Sequence, residues 1–223
     1  AEIAKVLHQS GLNIIIHYHR SEQEALTLFE KFNQLRPNSA KLIAFDLRDT
    51  ADFQALAAQV VAAFGRLDIL VNNASTFYPT ESVTETQWQD LMGVNLKAPY
   101  FLIQSLTAEL IKNAGSIVNI TDVNAAKAKL NYEVYCIAKA GLVALTQQMA
   151  NRLAPAVRVN AVAPSLTLPP EGRAAIPAEK YQEMLSHTPF KRKAEPIDIA
   201  QAVKFLALDT SQITGQVLKF DIF

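Results

Sequence analysis

"SIVNITDVNAAKAKLNYEVYCIAKAGLVALTQQMANRLAPAVRVNAVAP", residues 116–164, contains a complete unit of architecture. Its first six residues are a short β-branched run closing in polar ones, as in a strand buried on both faces. Residues 132–153 carry helical periodicity, and "VRVNAVAP" at 157–164 is a second strand of the same kind. Strand, helix and strand in that order form a right-handed crossover between parallel neighbours.

The same alternation extends to both sides. "LNIIIHYH" (12–19), "KLIAFDL" (41–47), "DILVNNA" (68–74) and "QVLKFD" (216–221) read as further strands. Helical patterns fill residues 21–36, 50–64, 84–112 and 196–208. Ser21 with Glu24, and Thr84 with Gln87, have the capping-box spacing that opens a helix. The expectation is a single α/β domain over residues 1–223, a doubly wound Rossmann-type parallel sheet with helices on both faces.

The chain opens on "AEIAKVLHQSG", a helix with Ile3, Val6 and Leu7 on one face and Gly11 placed to end it. A doubly wound fold has its first strand and glycine-rich phosphate turn ahead of such a helix. Both are expected to be missing from this chain, in keeping with only 7 glycines in 223 residues, where about 7% is usual.

Composition narrows the function. Hydrophobic residues make up 50% of the chain, enough for a sizeable core. The 21 basic and 21 acidic residues cancel without long runs of one sign, so nothing marks a nucleic-acid or anionic-membrane partner. No apolar stretch approaches the roughly 18 residues of a membrane span. The single cysteine, Cys136, cannot form an internal disulfide, which favours a reducing compartment and a cytoplasmic location. His17 and His19 share a strand face without further ligands at metal spacing, and no metal is expected. Trp88, Leu91 and Met92 read as core on helical spacing, and Cys136 as a small buried residue.

Tyr135 and Lys139 stand four apart on the 132–153 helix and share a face. A nearby ammonium favours the phenolate and makes Tyr135 a better proton donor, although the spacing alone also suits an ordinary surface pair. "DILVNNAS" ends a strand in asparagines and small residues, where backbone can approach a ligand at the carboxyl edge of the sheet. "VNLKAPYF" places Asn95 among apolar and aromatic neighbours in a helix.

With "NNAS", Asn95, Asp122, "YCIAK" and "RVNAVAP" in this order, the chain resembles the short-chain dehydrogenases/reductases over nearly its whole length. In that family Asn, Ser, Tyr and Lys form the catalytic set and a nicotinamide cofactor lies across the strand ends. The resemblance implies catalytic roles for Asn95, Tyr135 and Lys139, with Asp122 standing where the serine is expected. That aspartate, with "HYHRS" (17–21) and "NNASTFYPT" (72–80), is similar to the pteridine reductase branch. A hydroxyl suits a ketone, whereas a carboxyl group whose pKa is raised by burial can help protonate a ring C=N bond. A plainer reading makes Asp122 a solvent-exposed cap on the turn after its strand.

An arginine after the second strand of the fold accepts the 2′-phosphate of NADP. His19, Arg20 and Ser21 therefore point to NADP(H), Ser21 serving a phosphate or the helix cap. Asp46 and Leu47 resemble the family's adenine contacts, and Asn73, Ala74, Lys139 and Pro164 complete the cofactor side. Phe77 matches the ring that stacks the pterin in pteridine reductases, with Ser75 beside it; substrate contacts are expected from Ser75, Phe77, Asp122 and Tyr135. The proline-rich stretch at 164–196, partly helical near 179–186, fits a lid. Met149 and Leu145 are expected at a subunit contact, because family members commonly pair into tetramers.

The expected function is NADPH-dependent reduction of a dihydropterin or dihydrofolate, by hydride transfer to a ring C=N with protonation assisted by Tyr135, Asp122 and Lys139. The alternatives are reduction of a ketone or enoyl group on the same fold, and a noncatalytic dinucleotide-binding protein.

Overall fold

The computed structural model describes residues 1–127, 129–169 and 172–220. Helix α1 (Glu2–Gln9) turns through Gly11, whose φ of 93° favours glycine, into strand β1 (Ile14–Tyr18). There follow α2 (Glu22–Leu35), β2 (Ala40–Ala44), α3 (Phe53–Phe64) and β3 (Ile69–Asn72). The second half runs α4 (Glu85–Met92), α5 (Ala98–Lys112), β4 (Ser116–Ile120), α6 (Glu133–Leu153), β5 (Arg158–Ala163), α7 (Ala178–Ser186), α8 (Pro196–Lys204) and β6 (Val217–Lys219).

Among the described residues all strand pairs are parallel, as expected, and they form two sheets. β1 pairs with β2, Ile14 opposite Ala40, and a second sheet has the order β3-β4-β5-β6. Between β1 and β3 lies a cavity of about 640 Å³.

β4 is the centre of the larger sheet and is buried along its whole length. Its residues alternate between layers as the pleat requires. Ile117 joins the main core with Leu106 and Leu110 of α5 and Leu142 of α6, while Val118 and Ile120 pack on the opposite face with Ile199 and Val203 of α8. Burial on both sides is why this strand reads as an unbroken apolar run.

Several expectations are corrected. Thr84 forms the capping box with Gln87, but Ser21 makes no side-chain cap bond to α2. The helix expected over 84–112 is broken by a π-helical turn at Gly93–Lys97. Leu91 is core, whereas Trp88 is 39% exposed. Met149 and Leu145 are buried in the chain's own main core, not displayed for a partner. In the 164–196 stretch α7 stands where the partial helix was expected, with Ala194 N–H donating to Leu166 O and the Tyr181 hydroxyl to Thr167 O. Residues 170–171 of that stretch, and residue 221 of the expected last strand, lie outside the described residues.

Candidate active site

The carboxyl end of β4 delivers the chain into the site. Beyond Ile120 the backbone turns at Asp122, which is extended and caps a 3-10 turn at Val123–Ala126. One carboxylate oxygen, Oδ1, accepts the backbone N–H of Asn124 at 2.7 Å and its side-chain Nδ2 at 2.9 Å. The other, Oδ2, accepts the phenol of Tyr135 at 2.8 Å. Asp122 thus both caps the turn and bonds Tyr135.

Tyr135 lies in the first turn of α6, and Lys139 follows one turn later on the same face; they are 6% and 2% exposed. The Lys139 ammonium donates to the carbonyl of Ile120 at 2.9 Å and sits 5.7 Å from the Tyr135 ring centre. Burial lowers its pKa to about 8, against a raising effect of the Asp122 charge. Burial also raises the pKa of the Tyr135 phenol well above its usual value, reinforced by the charge and hydrogen bond of Asp122. The expectation that Lys139 would acidify Tyr135 is therefore reversed. The phenol touches a carboxylate, and the ammonium is turned toward a main-chain carbonyl. A phenol so held keeps its proton at neutral pH and is a donor.

Asn95 sits in the π-helical turn and is fully buried. Such turns recur at functional sites because they redirect side chains out of the helical register. Its Nδ2 donates to the carbonyls of Thr76 and Leu91, both at 2.9 Å, and its Oδ1 accepts the Ser75 hydroxyl at 2.6 Å. Asn95 anchors the loop after β3 and makes no bond to Asp122 or Tyr135. The Ser75 hydroxyl is also within hydrogen-bonding reach of the Tyr135 phenol, where its small effect opposes that of Asp122.

Phe77 lies against this pair. Its ring stacks on Tyr132 at 4.8 Å and meets the edge of Tyr135 at 4.8 Å. The Lys129 ammonium is 4.2 Å from the Tyr132 ring centre and 5.1 Å from that of Phe77. Sequence reasoning missed Asn124, Tyr132 and Lys129. The Asx turn at Asp122 was a local signal for Asn124, but nothing in spacing announced the aromatic stack.

The residues expected on the cofactor side follow the carboxyl ends of β1, β2, β3 and β5. Arg20 is exposed, and His19 Nε2 is 3.6 Å from Asp46 Oδ2. Asp46 accepts three bonds from the Arg48 guanidinium and one from its backbone N–H, which hold its carboxyl far below the usual range. Leu47 is buried in the main core. Asn73 and Ala74 are exposed at the end of β3, and Pro164 O accepts Val123 N–H at 3.1 Å. Next to Pro164, the hydroxyl of Ser165 is buried without a hydrogen-bond partner. An orphaned hydroxyl there, with amides of α2 that the Ser21 side chain leaves uncapped, fits a polar ligand spanning the strand ends. Among the described residues no group of three or more His, Cys, Asp or Glu side chains could hold a metal, and no helix is long and apolar enough to cross a membrane.

Comparison with known proteins is consistent with this geometry. The family model described as enoyl-(acyl carrier protein) reductase matches residues 1–222. Pteridine reductase 1 of Leishmania tarentolae is 33% identical over 99% of this chain and 90% of its own length. A 3-oxoacyl-[acyl-carrier-protein] reductase of Staphylococcus aureus is 32% identical over 97% of this chain and 89% of its own. A chloroplastic NADPH-dependent aldehyde reductase of Arabidopsis thaliana is 32% identical over 89% of this chain and 72% of its own.

Proposed function

We propose that this chain, which belongs to the short-chain dehydrogenase/reductase family, uses NADPH to reduce a dihydropterin or dihydrofolate to its tetrahydro form. The observation that carries the reading is the 2.8 Å bond from the Tyr135 phenol to Asp122 Oδ2. A ketone needs only a hydrogen bond at its oxygen while one donor delivers a proton. A ring C=N bond is reduced more easily once its nitrogen is protonated, and a carboxyl group coupled to a phenol suits that task.

When bound, the nicotinamide supplies the hydride that the ring carbon accepts. Tyr135 then gives its proton to the ring nitrogen, and the phenolate left behind would face Asp122 at 2.8 Å. Two adjacent anions are disfavoured, so the phenol yields its proton only to an acceptor as basic as the ring nitrogen after hydride addition, and solvent restores that proton afterwards. Lys139 supplies positive charge beneath the pair, Asn95 and Ser75 fix the loop that carries Phe77, and the Phe77 face receives the flat ring. Arg20 and His19 take the 2′-phosphate, Ser21 and the α2 amides a phosphate, and Pro164 and Ser165 the nicotinamide side. Asp46, Leu47, Asn73 and Ala74 line the path between. The same reading carries a cytoplasmic homotetramer, testable by light scattering.

Oxoacyl reduction is the rival, favoured by the similarity to the S. aureus 3-oxoacyl-[acyl-carrier-protein] reductase. NADPH oxidation assayed with a pterin panel and with an oxoacyl thioester separates the two. Turnover of a dihydropterin supports the proposal; turnover of the thioester with none of any pterin rejects it.

A further inference from the structure

We propose that Lys129 is a specificity residue of the pocket and binds a carboxylate that the substrate carries on a tail away from its reacting ring. The inference rests on the pterin reading above, in which the flat ring lies on Phe77, and narrows it to a substrate with an anionic tail.

Local structure fixes Lys129 beside the rings. Tyr132 N–H donates to the Lys129 carbonyl at 3.0 Å, closing a turn that enters α6 one residue later. Within it Asn131 takes the left-handed conformation, φ 65°, which asparagine tolerates. The Asn131 carbonyl accepts Thr80 N–H at 2.7 Å, tying this turn to the loop that carries Phe77. The Lys129 side chain is half-buried and folds back over the stacked pair, 4.2 Å from the Tyr132 ring centre and 5.1 Å from that of Phe77.

No acid answers this charge. None of the ion pairs among the described residues includes Lys129. Glu133, four residues on, accepts Asn131 N–H at 3.1 Å, and the two Asp122 oxygens are taken by Asn124 and Tyr135. Aromatic faces hold an ammonium weakly and leave its N–H donors open to a better acceptor. A carboxylate is that acceptor, through charge-assisted hydrogen bonds.

The ammonium stands two ring steps from the chemistry, 5.1 Å from the centre of Phe77, which is itself 4.8 Å from that of Tyr135. A substrate ring on Phe77 can thus extend an aryl tail along Tyr132 and place its acid on Lys129. Dihydrofolate, with an aminobenzoyl group followed by glutamate carboxylates, has this order of groups. A pterin with a short uncharged side chain ends before the cation.

The test compares dihydrofolate with dihydrobiopterin, whose side chain is uncharged, in the wild-type protein, Lys129→Met and Lys129→Arg. Met keeps most of the stem and deletes the charge. The ratio of kcat/KM for dihydrofolate over dihydrobiopterin should fall about tenfold to a hundredfold in Lys129→Met, through KM with kcat held within about threefold, and Arg should restore most of it. Binding of 4-aminobenzoylglutamate, the tail without the pterin, followed by NMR titration, should weaken by a similar factor in Lys129→Met and weaken with added salt in the wild type. An unchanged ratio in Lys129→Met, or an equal loss for both substrates, overturns the inference. If neither substrate is turned over, the pterin reading fails by itself and the tail alone decides. Its loss in Lys129→Met then supports the anion site, and no binding, or equal binding by both proteins, overturns it.

Discussion

Asn124 grips one oxygen of Asp122 with two donors, its backbone N–H at 2.7 Å and its side-chain Nδ2 at 2.9 Å, leaving the other oxygen to Tyr135. The carboxylate that meets the phenol is thus aimed by a neighbour two residues along the chain. Asn124→Ala removes one donor and keeps the turn. A lost bond to a charged acceptor is worth about 1.5–3 kcal/mol, which predicts a fall in dihydropterin turnover of roughly tenfold to a hundredfold. Steady-state kinetics beside an unchanged circular dichroism spectrum checks it.

Tyr135→Phe keeps the ring and its edge contact with Phe77 but deletes the donor. Turnover should fall by about 10²–10⁴. NADPH binding, followed by fluorescence titration, should persist, because the phosphate contacts proposed above do not use the phenol.

Lys139 gives a pH signature. With its pKa lowered to about 8 by burial, it is charged below that pH and neutral above it, so kcat/KM for reduction should decline as pH rises through about 8. Asp122 raises this pKa, so Asp122→Asn must move it lower, and the Tyr135 pKa lower too. Heteronuclear NMR titration of the Lys139 side chain, in the wild-type chain and the variant, reads the direction. An upward shift in Asp122→Asn would contradict the assignment.

His8 makes stability sensitive to acid. It is buried, stacked on Phe32 at 4.3 Å and 2.6 Å from the Ser39 hydroxyl, and its pKa is lowered by burial and then by the Arg36 charge. The unfolded chain binds the proton more readily, so this contribution is intact above the unfolded value of about 6.5 and is lost as pH falls through the folded one. Urea midpoints should drop between pH about 7.5 and pH about 5, and His8→Gln should flatten the drop even where it lowers stability overall.

The parallel α/β plan was legible because buried strands such as Ser116–Ile120 and the 21-residue α6 are set by periodicity and composition alone. The π-helical turn that buries Asn95 escaped because Gly93–Lys97 is locally helix-compatible. Ser21 fits the cap consensus but makes no cap bond, and Met149 and Leu145 have the spacing of an interface yet fill the core. The Tyr135, Lys139 and Asp122 cluster could be named from sequence, but the sign of the Tyr135 shift could not, because it depends on burial and on which charge touches the phenol.

The central claim is that Asp122 directs this fold to ring C=N bonds. NADPH oxidation by the wild-type chain and by Asp122→Ser, each with a dihydropterin and with an oxoacyl thioester, tests it most directly. The account predicts that the wild-type chain reduces the dihydropterin, and that Asp122→Ser loses at least about a hundredfold of that activity while gaining on the thioester. A wild-type chain that reduces the thioester and no pterin, or an Asp122→Ser variant with undiminished pterin turnover, would contradict it.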